Sequence, residues 1–193
     1  MKRLLLIIIL SLSFNSLTKA DDIRDFEIEG ISIGDSALDY FSKSEIKINS
    51  KPYFKNKKVT PVELKNLSTL NTYDELHFSY ITKDKTYSIT SIDGTLSYRN
   101  NVEECYQKMD KITKELKEFL KDIKHEYEKK IEKHRADKSG KSKVTTSYFF
   151  LDTRDVAYVQ CFDYSDKTGW EDHLRVGVAT KEQVYFLQNE AYK

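Results

Sequence analysis

The run NVEECYQKMDKITKELKEFLKDIKHEYEKKIEK, residues 101–133, decides how this chain is read. Val102, Cys105, Met109, Ile112, Leu116, Phe119 and Ile123 step by three and four, which places apolar side chains on one face of an α-helix. Tyr127 and Ile131 continue at intervals of four. The pattern predicts one amphipathic helix over about residues 100–133, entered through Asn100 or Asn101. Glu104/Lys108, Asp110/Lys114 and Glu126/Lys130 add i,i+4 support. Such a helix would run roughly 50 Å. Its far end, near Ile123, Tyr127 and Ile131, is therefore expected to project or to meet a partner.

Upstream, Phe26, Ile28, Ile31 and Ile33 alternate with other residues and predict a first strand that ends at Gly34. Asp35-Ser36 then caps a short helix, and Ser42 with Glu45 forms a capping box for one further turn. The surroundings of Pro52 and Pro61 read as loop or edge strand. Residues 76–81 alternate as a strand, and Tyr87, Ile89 and Ile92 resume the alternation. Asp93-Gly94 is read as a bulge in one long strand rather than as a hairpin turn. Downstream, a polar loop over residues 133–143 leads to four expected strands at 144–151, 156–164, 174–179 and 184–188. Residues 152–155 and 180–183 supply tight connections. This order with short links predicts an α+β fold: an antiparallel sheet, one long helix packed on it, and a short N-terminal helix.

Composition narrows the function classes. The 193 residues carry 32 Lys+Arg against 31 Asp+Glu, which excludes a polybasic nucleic-acid binder. The N-terminus stands apart. Lys2 and Arg3 precede an uncharged run over residues 4–14, and Thr18-Lys19-Ala20 places small residues before a cut. This is the layout of a secretory signal peptide over residues 1–20, cleaved after Ala20, with a single α+β domain over 21–193. No later segment is long and apolar enough to cross a membrane, so the expectation is a periplasmic or secreted protein with no membrane span after cleavage. In an oxidising compartment Cys105 and Cys161 are candidates for a disulfide. That bond would close a loop worth on the order of 4 kcal/mol.

Few residues suggest chemistry. Gly34-Asp35-Ser36 after a strand is similar to the first block of GDSL-type hydrolases, which makes Ser36 a candidate nucleophile. The Gly-x-Asn-Asp block of those enzymes is missing, and a Ser/Asp helix cap explains the same residues. His125-Glu126 begins like a zinc-protease motif but ends in Lys129, so it reads as a solvated helix face. His77, His134 and His173 stand alone in the sequence, and no cofactor or metal motif is present. Tyr148, Phe149, Phe150, Phe162, Tyr164, Trp170, Tyr185 and Phe186 form core packing or, alternatively, an aromatic concave sheet face opposite the helix. That face would hold an apolar ligand or a partner strand.

The opening Asp25-Phe-Glu-Ile-Glu-Gly-Ile-Ser-Ile-Gly-Asp-Ser-Ala-Leu-Asp-Tyr-Phe-Ser42 resembles that of exported, uncharacterised small proteins of marine alphaproteobacteria. The block Tyr98-Arg-Asn-Asn-Val-Glu-Glu-Cys105-Tyr-Gln-Lys-Met109 is similar to theirs as well. The resemblance implies export and a shared fold, and no catalytic residues. The leading reading is a non-catalytic periplasmic or envelope protein that binds a small apolar ligand or an envelope partner. The alternatives are a serine hydrolase using Ser36 and a helix-mediated envelope scaffold that self-associates.

Overall fold

The computed structural model describes residues 23–65, 67–99 and 101–193. The expected signal peptide at 1–20 lies outside the described residues. Strands β1 (Val59–Lys65), β2 (Glu75–Ile81) and β3 (Ile89–Ser97) form a meander preceded by helix α1 (Lys43–Asn49). Helix α2 (Val102–Phe119) then carries the chain across to the far side of the sheet. From there β4 (His125–Lys133), β5 (Lys143–Leu151), β6 (Val156–Asp163) and β7 (His173–Ala179) return hairpin by hairpin. The last of them seats beside β3, so the order is β1-β2-β3-β7-β6-β5-β4 with every pair antiparallel. Helix α3 (Lys181–Asn189) closes the chain.

One face of the sheet is the apolar core. Met109 and Leu116 of α2 are buried in one cluster with Val159, Leu174, Val176 and Phe149. The Cys105–Cys161 disulfide, with Cα atoms 6.0 Å apart, staples α2 to β6. The N-terminal segment packs on the same side, with the Phe26 ring edge-on to Phe119 at 6.1 Å. The capping box of α1 is present, since Ser42 accepts from the Glu45 amide and Glu45 accepts from that of Ser42.

Four expectations are corrected. The long helix stops at Phe119, and residues 125–133 are strand β4. Spacing by four fits a helix, but it also puts Tyr127 and Ile131 on one side of a strand, whose period of two divides four. No Gly or Pro marks the break in the sequence. A nine-pair ladder to β5 stabilises the extended form. Second, Ile28 and Ile31 exchange two 3.0 Å backbone hydrogen bonds around Glu29 (φ 54°) and Gly30 (φ 77°), a tight turn where a strand was expected. The Glu29 carboxylate accepts from the amides of Asn71, Thr72 and Tyr73 at 2.7–3.0 Å, which holds the turn in place. Third, residues 184–188 belong to α3. Thr180 caps it by accepting from the Gln183 amide, and Gln183 and Phe186, one turn apart, are its buried residues. Four apolar residues in a row are too few to separate the two periods. Fourth, β3 runs unbroken through Asp93-Gly94, while the register shifts where Ser79 faces Ser91 and Tyr80 faces Ile89, leaving Thr90 as the extra residue.

Candidate functional site

Strand alternation sends every second side chain to the face opposite α2, and register aligns them into transverse rows. One row runs Lys65, Glu75, Thr95, Arg175, Gln160, Thr146 and Lys130 across β1-β2-β3-β7-β6-β5-β4. The next row runs Glu63, His77, Asp93, Gly177, Tyr158, Tyr148 and Glu128. A cavity of about 560 Å³ is lined from Glu63 on one edge strand to Glu128 and Lys130 on the other. Seven flat strands would span roughly 29 Å at 4.8 Å spacing, so lining one cavity from both edges requires the sheet to curl around it. Tyr53, Phe54, Val184, Leu187 and Tyr192 wall one end.

The floor is a buried charge cluster. Asp93 Oδ1 lies 3.3 Å from His77 Nδ1 and 3.2 Å from Arg175 Nε. His77 Nε2 lies 3.1 Å from Glu75 Oε2, and Lys65 donates to Glu75 Oε1 at 2.7 Å. Tyr158 donates to Asp93 Oδ2 at 3.4 Å. It reaches Asp93 by passing over Gly177, where a Cβ would stand 2.5 Å from Asp93 Cβ and 2.8 Å from the Tyr158 hydroxyl. Gly177 is therefore part of the site by lacking a side chain. The Arg175 side chain keeps 30 % of its surface exposed, against 11 % for Asp93 and 13 % for His77, so the guanidinium opens toward the cavity.

The ionisation follows from this packing. Burial alone would lower His77, but Asp93 and Glu75 outweigh it and hold the imidazole at about 9, protonated at neutral pH. The His77 hydrogen bond, against burial and with help from Lys65, draws Glu75 down to about 2. Burial pushes Asp93 up, while Arg175 and His77 together keep it below the usual carboxylate range. Beyond Arg175 the same face turns aromatic. His173 stacks on Phe162 at 4.3 Å, and the Arg175 guanidinium lies 5.3 Å from the centre of that Phe162 ring. Burial and the Arg175 charge push His173 down to about 4, so it is neutral. Its Nδ1 faces the Glu171 carbonyl at 3.1 Å, which places the proton there and leaves Nε2 an acceptor.

Among the described residues, Asp93 Oδ1, Thr95 Oγ1, Arg175 Nε and His173 Nε2 are buried without an aligned hydrogen-bond partner. All four project from neighbouring positions of β3 and β7 on this face. The contacts of Asp93 Oδ1 are charge contacts rather than directed hydrogen bonds.

Ser36 sits elsewhere, at the start of a 3-10 turn over Ala37–Asp39. Its hydroxyl accepts from the Leu38 amide at 3.2 Å and donates to the Thr86 carbonyl at 2.7 Å, the geometry of a cap. Cys105 and Cys161 are joined on the opposite face. His125 lies on β4 rather than on a helix, with Nδ1 2.7 Å from the Ile123 carbonyl. Of the aromatics, Tyr148, Phe150 and Phe162 reach the polar face. Phe149 is buried on the α2 side, and Phe186 belongs to a small core with Val59 and Ala191. His77 and His173, isolated in sequence, become neighbours of one arginine. Asp93, Arg175 and Gly177 carried no motif, and only register brings them together. Among the described residues no group of three or more His, Cys, Asp or Glu is arranged to hold a metal ion. Nor is any described helix long and apolar enough to cross a membrane. No family model, curated protein or solved structure matches this chain.

Proposed function

We propose that this chain is an exported, non-catalytic binding protein whose ligand occupies the polar face of the sheet. The observation that carries this reading is the buried row around Asp93 and Arg175. Polar side chains in the middle of an open face are normally solvated. Here Asp93, Thr95 and Thr146 are 8 %, 7 % and 2 % exposed, on a face with no layer of helices over it. A concave cavity of this size, walled by aromatic side chains with a few converging polar groups, is the usual form of a small-molecule site. Export rests on the tripartite segment at 1–20 and agrees with the disulfide, which persists in oxidising compartments. We place the chain with the exported small proteins that its opening resembles, in the periplasm or outside the cell.

Native and denaturing mass spectrometry of the protein recovered from a bacterial host tests both parts. The expected mass begins at Asp21, is two hydrogens lighter than the reduced chain, and carries a small-molecule adduct that Tyr148→Ala removes. A full-length mass with alkylatable thiols would overturn export. Identical adduct-free spectra, with no difference in ligand response between the wild type and Tyr148→Ala, would overturn binding.

One observation favours assembly as a second reading, through a strand rather than a helix. Edge strand β4 leaves Ile131 67 % exposed. A second copy paired antiparallel about Lys129 would set Tyr127 against Ile131 and Glu128 against Lys130. Sedimentation at rising concentration tests it: a concentration-independent monomer, unchanged by Ile131→Glu, excludes it.

A further inference from the structure

We infer that the ligand of the polar face is a neutral saccharide, an inference that rests on the binding reading above. Three properties of the site select this class.

The first is charge balance. Arg175, His77, Lys65 and Lys130 are matched along the two rows by Asp93, Glu75, Glu63 and Glu128. An anion would meet the Glu63, Asp93 and Glu128 carboxylates, and a cation would meet Arg175 and the protonated His77. A net-neutral partner avoids both repulsions, and each buried charge already has its counter-ion.

The second is hydrogen-bonding demand. The cavity wall presents the Glu63 and Glu128 carboxylates as acceptors, Lys130 and Arg175 as donors, and the Tyr148 hydroxyl as either. A purely apolar ligand would seal these atoms from water unmet, at roughly 1–3 kcal/mol each. That argues against the apolar ligand which the aromatic content alone suggests. Groups that both donate and accept at close spacing answer the demand, and vicinal hydroxyls do so. Gln160, whose amide donates to Thr146 at 3.2 Å, adds a further donor and acceptor in the same row. Sugar hydroxyls can take the place of water on cavity-lining groups of this kind without loss of hydrogen bonds.

The third is the flanking of this floor by ring faces. Tyr148 and Phe150 stack on one another along β5 at 5.3 Å, both half-buried. Tyr53, Phe54 and Tyr192 add further rings to the cavity wall, while Phe162 and His173 form a second stacked pair on the same face outside it. A pyranose has apolar C–H faces and a polar hydroxyl rim, so it can lie against rings while its rim meets the floor. At about 560 Å³ the cavity falls within the range of about 300–1,000 Å³ typical of small ligands, enough for a short oligosaccharide.

The test uses the full mature chain. Thermal unfolding and Trp170 fluorescence are followed while neutral tetrasaccharides are added: malto-, cello-, manno- and N-acetylchito-oligomers. Tetragalacturonate, an unacetylated chitosan tetramer, adenosine and hexanoate serve as charged, aromatic and apolar comparators. Trp170 is the chain's single tryptophan and lies 5.1 Å from Tyr164, whose ring is 5.7 Å from His173. At least one neutral saccharide is expected to raise Tm and change the fluorescence saturably. Affinity should fall at least tenfold in Tyr148→Ala and in Gln160→Ala, and should be unchanged in Ser36→Ala. Both site residues are half-buried, so either variant keeps the reading available if the other fails to fold. Binding of a comparator instead, lost in the same variants, would overturn the saccharide assignment and leave the binding reading standing. No response to any compound, with wild type and variants alike, would overturn both.

Discussion

Residues adjacent in sequence part company across this sheet. On the α2 side Leu76, Ile92, Val159, Val176 and Phe149 are buried in a continuous apolar cluster under the helix and the N-terminal segment. Their sequence neighbours His77, Asp93, Tyr158, Arg175 and Tyr148 project to the other side, where charges and hydroxyls line a cavity. The first face is held by area removed from water, at about 25 cal/mol per Å². The second has no such source of stability, because burying unpaired polar groups is unfavourable and the ion pairs there roughly offset their own desolvation. A stable fold needs the first face and draws less on the second. The second is explained by what it can bind.

Breaking the comparison at its stronger side should have the largest effect. Phe149 is fully buried beneath α2, and Phe149→Ala is expected to lower stability by about 3–5 kcal/mol in urea unfolding. A loss below about 1 kcal/mol would show that the helix face is not the core.

On the polar face the expected effect is electrostatic. His77 is raised to about 9 from an ordinary value of 6.5, so the folded state holds its proton more tightly than the unfolded chain. That stabilisation is complete below pH 6.5 and is lost as pH rises through 9, about 3 kcal/mol in all. Unfolding free energies measured from pH 6 to 9.5 should fall accordingly, and His77→Gln should flatten the slope. An equally steep slope in that variant would place the titrating group elsewhere.

Gly177→Ala sharpens the contrast further. The added methyl would stand 2.5–2.8 Å from Asp93 Cβ, the Ile92 carbonyl oxygen and the Tyr158 hydroxyl, with an expected destabilisation of about 1–3 kcal/mol. Part of the loss should be recovered when Tyr158→Phe is added, because the hydroxyl is one of the atoms displaced; the coupling is read from a double-mutant cycle. Strict additivity would mean that the clash falls on Asp93 and the Ile92 carbonyl rather than on Tyr158.

The smallest effect belongs to Ser36, which lies in neither row. Ser36→Ala should lower stability by about 1 kcal/mol through loss of its cap. Activity on short-chain esters that disappears in this variant, with stability unchanged, would make Ser36 a nucleophile after all.

Local patterns were sufficient for much of this. The capping box at Ser42 and Glu45 and strands over 76–81, 144–151, 156–164 and 174–179 could be read from neighbours in the chain, Pro61 read as loop or edge strand lies in edge strand β1, and the Cys105–Cys161 bond followed from there being two cysteines. The helix beginning near Asn101 was equally plain, since six apolar residues with alternating gaps of three and four admit one period. The candidate site was not visible in this way. Its aromatic part showed in the sequence as Tyr148 and Phe150. Its charged half is spread over β1, β2, β3, β4 and β7, with Glu63 and Arg175 112 positions apart (175 − 63), and no spacing within a single strand announces such rows.

Sequence alone therefore determined which segments are apolar on one side and how their ends are capped, because these depend on side chains within a few residues of each other; the cysteine pairing followed from there being two cysteines in the chain. Tertiary structure decided what residues 125–133 become. Tyr127 and Ile131 satisfy a helix and a strand equally, and pairing with β5 settles the choice. It also decided that His77, Asp93 and Arg175 meet, because strand order and register are global properties: a shift of one residue would send each of them to the opposite face.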